Sequence, residues 1–143
     1  MSVTLLIGAV LFVITAQQTE PSRQVTLVRS TDLVRALKRA DATVEVQGRA
    51  PRDAFPFFSP RATRLRVAGD DVHVFQYPTA DEAVSEASHI SVAGSPIATT
   101  QITWMSPPRF YRKDRLIVLY VGTEPKVAHA LEAVLGPPFA GLR

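Results

Sequence analysis

The chain has 143 residues, 46% of them hydrophobic, a formal net charge of +3 and no cysteine. The missing thiols exclude cysteine nucleophiles, thiol redox chemistry, c-type haem attachment, iron–sulfur clusters and zinc sites built on cysteine. The charge is segregated. Residues 21–69 are dominated by Lys and Arg, whereas residues 70–106 hold Asp70, Asp71, Asp81, Glu82 and Glu86 and no basic side chain except histidine, a distribution suited to an anionic partner or to lobes that neutralise one another.

The N-terminal stretch VTLLIGAVLFVITA, residues 3–16, carries no charge, and the first ionisable side chain is Glu20. A secretion signal needs 7 to 15 apolar residues followed by a small one, whereas a spanning helix needs about 20. Residues 1–16 are therefore expected to be a signal peptide or a membrane anchor, 17–24 a linker, and 25–143 a single domain outside the cytoplasm, in the periplasm or cell envelope. With no cysteine to accept a lipid, Gln17 stands where a lipoprotein would carry its acylated residue.

Within the domain, VTLV at 25–28 is strand-like and short enough for an edge strand. Ser30 or Thr31 is expected to cap a helix whose apolar side holds Leu33, Val34 and Leu37 and whose outer side holds Arg35, Lys38 and Arg39. The alternation of ATVEVQG at 42–48 reads as a half-buried strand. A loop with Pro51, Pro56 and Pro60 around Phe55, Phe57 and Phe58 follows, too rich in proline for regular structure. TRLRVAG and VHVFQY flank a Gly-Asp-Asp turn and predict an antiparallel hairpin. Thr79 and Glu82 form a capping box for the next helix, which ends before Gly94. Residues 97–105 favour a strand, and RFYRKD at 109–114 is expected to be a basic loop. The unbroken apolar run 116–121 marks a strand covered on both faces. Thr123 is expected to cap the last helix, with Pro125 in its first turn and Gly136 and Pro137 ending it. This order predicts an α+β fold: an antiparallel sheet of about four to six strands with two or three helices mainly on one face.

Trp104 and Pro107, Phe110 and Tyr111, the run from Leu116 to Gly122, then Leu131, Leu135, Gly136, Phe139 and Gly141 resemble the C-terminal signature of small uncharacterised exported proteins and lipoproteins of bacteria. The resemblance implies an α+β domain behind a hydrophobic leader. Its elements are framework residues, and it implies no catalytic residue.

Constellations for chemistry are sparse. His129 and Glu132 lie at i and i+3 but lack further ligands, so no metal is expected. His73 beside Asp70 and Asp71 has the composition of a carboxylate-oriented base, and Ser85, Ser88 and Ser91 neighbour His89. None has a nucleophile-elbow spacing. Phosphate-loop, dinucleotide and DNA-binding patterns are missing, so neither a cofactor nor a nucleic-acid partner is expected. What remains is a pair of basic aromatic loops. The first, over 52–66, offers Phe55, Phe57, Phe58 and Arg61. The second, over 104–115, offers Trp104, Arg109, Phe110, Tyr111, Arg112 and Lys113. Aromatic and guanidinium groups are enriched at binding centres. The expectation is a non-enzymatic envelope protein that binds a protein or membrane partner through these loops, as an accessory subunit of a membrane complex if the leader is retained. The alternative is a small-ligand-binding domain or hydrolase using the sheet face around His73, and a small-molecule ligand stays open.

Overall fold

The computed structural model describes residues 25–142. The expected leader and linker lie outside the described residues. Among the described residues no helix is long and apolar enough to cross a membrane.

The element order is α1 (Ser30–Arg39), β1 (Val44–Arg49), β2 (Thr63–Val67), β3 (Asp70–Gln76), α2 (Ala80–Ser88), β4 (Pro108–Lys113), β5 (Leu116–Val121), α3 (Pro125–Leu135) and β6 (Ala140–Gly141). The six strands form one antiparallel sheet in the order β1-β2-β3-β5-β4-β6. This is the α+β architecture expected, with two helices on one face and one on the other.

The period-2 alternation of the strands divides the apolar side chains into two cores. On one face, Leu33 and Leu37 of α1 and Val127, Leu131 and Leu135 of α3 pack on Leu65, Val67, Val72, Val74, Tyr111, Val118 and Tyr120. On the other, Ala83 and Ala87 of α2 share a core with Phe58, Phe75, Phe110, Ile117 and Leu119. β5 lies between β3 and β4 and is buried from Leu116 to Tyr120, as its unbroken apolar run requires. The hydroxyl of Tyr120 donates to Asp70 Oδ2 at 2.7 Å and accepts from the Glu124 amide at 2.9 Å, tying the start of β3 to the entry of α3. Burial, followed by that bond to Asp70, pushes the Tyr120 phenol up to about 12.

Several local expectations are corrected. Residues 25–28 form no strand. Leu27 is buried, its amide donates to Asp114 Oδ2 at 2.7 Å and its carbonyl accepts from the Arg115 amide, so the segment is pinned to the β4–β5 turn. The cap of α1 is Arg29, displacing Ser30 and Thr31, because the Asp32 carboxylate accepts from the Arg29 and Val28 amides at 2.8 and 3.1 Å. Glu124, not Thr123, caps α3 and accepts from the Lys126 amide. The β2–β3 turn is Ala68-Gly69, with both residues at positive φ (47° and 93°) and Asp70 already paired with Val67, the backbone that a two-residue primed turn demands.

Two larger corrections concern residues 97–114. The expected strand at 97–105 instead folds on itself: the Ile97 amide donates to the Thr100 carbonyl and the Thr100 amide to the Ile97 carbonyl, reversing the chain at Ala98 and Thr99. The expected basic loop is strand β4. Phe110 and Tyr111 point to opposite faces and both are buried, which leaves the charged neighbours at the margins. At the sheet's edge, β6 approaches β4 so closely that a Cβ on Gly141 would overlap the Pro108 carbonyl, and Gly141 takes φ +86°.

Candidate interaction surface

The two aromatic loops meet on the α2 face of the sheet. Residues 50–62 lie over β3: Phe58 packs on Phe75 at 4.3 Å between ring centroids and on Phe110 at 6.4 Å. Residues 89–107 reach Phe110 from the other side, with Trp104 at 5.8 Å. The Trp104 indole N–H donates to the Gly94 carbonyl at 2.9 Å, and the Ile102 amide donates to Ser95 Oγ at 3.0 Å, so this irregular segment is held by its own polar bonds. Phe139 closes the cluster at 6.3 Å from Phe110. Edge-to-face contacts such as Phe58–Phe110 and Trp104–Phe110 are each worth about 0.5–1.5 kcal/mol beyond area burial.

Each candidate residue has a distinct place. Phe58 and Phe110 are buried in the core beneath the surface, and Tyr111 is buried on the opposite face of the sheet. These three rings are packing residues with no surface to offer a partner. Phe55, Phe57 and Trp104 are half-buried, each with part of its ring toward solvent. Arg61 is exposed, and its Nε donates to the Ala50 carbonyl, closing the base of the Phe loop. Arg109 donates to the Gly122 carbonyl at 3.0 Å and Lys113 to the Val134 carbonyl at 3.1 Å, both serving the fold. Arg112 is exposed on the Phe110 side of β4. The structure therefore brings Phe55, Phe57, Arg61 and Trp104 onto one face and separates Tyr111, Arg109 and Lys113 from them.

Two members escaped the sequence reading. Met105 is 100% exposed beside Trp104, and Val92 is 69% exposed where its carbonyl accepts from the Gly141 amide. The available signal was the apolar Trp-Met pair just before Pro107 and Pro108, which the strand expectation hid.

His73 sits on the same face under the Phe55 ring, 4.6 Å between centroids. Its pKa is lowered, first by burial and then by Arg64, against the opposing pull of Asp71. The carboxylates beside it are engaged: Asp70 with Tyr120, and Asp71 with Arg66 at 3.5 Å. Three grooves of about 410, 410 and 360 Å³ indent the surface, and His73 lines none of these three. Among the described residues no three His, Asp or Glu side chains come together as metal ligands.

No protein-family model, curated protein or solved structure shows significant similarity to the chain.

Proposed function

We propose that this chain is a non-enzymatic exported domain of the cell envelope that binds a protein or membrane partner through the surface formed by Phe55, Phe57, Arg61, Trp104 and Met105. The observation that carries the reading is the convergence of two ring-bearing loops on one sheet face, with Met105 fully exposed at its rim. Rings fixed by edge-to-face packing lose little entropy on binding, and guanidinium groups beside them add polar contacts. Burying Met105 alone would contribute about 1.5–3 kcal/mol, a ten- to hundredfold effect on affinity. The apolar leader supports the envelope location, and retention of that leader would make the domain an accessory subunit of a membrane complex.

The alternative centred on His73 has weaker support. Phe55 covers the imidazole, and both neighbouring carboxylates are turned to other partners.

The test is co-sedimentation of the full chain with membranes from cells that express it. Changing Met105→Glu, at a side chain that is wholly exposed, is expected to shift the domain from bound complexes to the free fraction with little change in melting temperature. Undiminished association would refute the reading.

A further inference from the structure

Three separate parts of the chain meet at the margin where β4 pairs with β6. The Gly141 amide donates to the Val92 carbonyl and the Leu142 amide to the Pro108 carbonyl, each at 2.8 Å, and the Trp104 indole donates to the Gly94 carbonyl at 2.9 Å. Gly94 is pressed so close to β4 that a Cβ on it would meet the Pro108 ring at 2.9 Å. Residues 92–94, 104–109 and 141–142 therefore form one rim.

The rim is apolar where it meets water. Met105 is 100% exposed, Val92 69% and Leu142 42%, and the outer edge of Trp104 lies beside Met105. The other large apolar side chains exposed to this degree among the described residues, Val25, Val46 and Val84, are scattered singly, one before α1, one on β1 and one on α2. Scattered apolar residues are ordinary, whereas a cluster marks a surface that something covers. None of the three grooves includes Val92, Trp104, Met105 or Leu142 in its lining. A wholly exposed Met105 projects from the surface.

The charge on the rim has one sign. Arg109 is its charged side chain, residues 87–113 and 133–143 contain no Asp or Glu, and the whole chain is at +3.

We infer that this rim sinks shallowly into the head-group zone of an anionic bilayer, with Val92, Met105 and Leu142 entering the apolar boundary and Trp104 lying at its level. The inference rests on the proposed partner surface and names its occupant. Projecting apolar side chains with no groove between them suit lipid, which closes around them without a matching shape. Tryptophan favours the membrane interface because its ring is apolar and its N–H polar. A rim without carboxylates meets no repulsion from anionic head groups, and its guanidinium is attracted to them. The uncharged stretch at residues 3–16 is consistent with a domain held near a membrane.

Trp104 is the only tryptophan in the chain and so reports on this rim directly. The experiment incorporates the full chain into vesicles of phosphatidylglycerol and phosphatidylethanolamine, with and without bromine on the acyl chains, and compares Trp104 fluorescence. Bromine is expected to quench the emission, and Met105→Glu to abolish most of that quenching while the chain stays with the vesicles. Lys126→Gln, exposed on α3, is expected to leave the quenching unchanged. Emission that is the same with and without bromine, or quenching that survives Met105→Glu in full, would overturn the inference. If Trp104 is unquenched while Met105→Glu still releases the domain from cell membranes, the occupant is a protein: the inference falls and the partner surface stands. If neither effect is seen, both fall.

Discussion

Phe110 and Tyr111 are neighbours in the chain and serve opposite sides of the sheet, one as the hub on which Phe58, Trp104 and Phe139 converge, the other inside the α1–α3 core. At this scale the clearest physical consequence falls on His73. Burial lowers its pKa below 6.5, so between pH 6.5 and that lower value the unfolded chain holds a proton that the folded chain refuses. The stability His73 contributes is complete above pH 6.5 and is lost as pH falls through the folded value. Tyr120 has the opposite sign: its pKa is raised from 10.0 to about 12, and its contribution is complete below pH 10 and lost as pH rises toward 12. A plateau of melting temperature between these limits is expected. His73→Phe keeps a ring against Phe55 and should flatten the acid limb; an acid limb as steep as the parent's would contradict this assignment.

Among the elements, the β2–β3 turn carries a conflict between residue and backbone. Ala68 is held at φ +47°, a region that a Cβ disfavours by about 1 kcal/mol and that asparagine tolerates. Ala68→Asn is therefore expected to stabilise the protein by about 1 kcal/mol in denaturant unfolding, and an unchanged or lower midpoint would show that the turn relaxes. The hairpin itself was legible, as were β5, α2 and α3, because each states a single period or an unbroken apolar run bounded by Gly or Pro. β4 was not legible. A strand buried on both faces but bracketed by Arg109, Arg112 and Lys113 looks like a basic loop when charge is read before alternation. Residues 97–105 failed for the converse reason: β-branched residues filled a segment whose hydrogen bonds close locally, and nothing in their composition reveals that the sheet has no place for them. The aromatic surface was half legible. Its residue types marked the two loops, but which rings are buried depends on the pairing of β4 with β5, a long-range fact that sequence spacing does not contain.

Over the whole molecule the sheet acts as a partition. One face is sealed by α1 and α3. The other is covered partly by α2 and partly by two irregular segments, whose rings complete the core with their inner edges and reach solvent with their outer ones. Each loop is tied to the framework through Phe58 or Trp104 and closed by a side-chain bond to its own backbone, from Arg61 to the Ala50 carbonyl and from Trp104 to the Gly94 carbonyl.

The most direct measurement of the central claim is site-specific photo-cross-linking in intact cells that express the full chain, with the photoreactive residue placed either at Met105 or at His129, which is exposed on α3 on the far side of the sheet. A discrete light-dependent adduct at position 105 and none at position 129 is the predicted result. No adduct at position 105, or the same adducts from both positions, would contradict an interaction surface on the aromatic face.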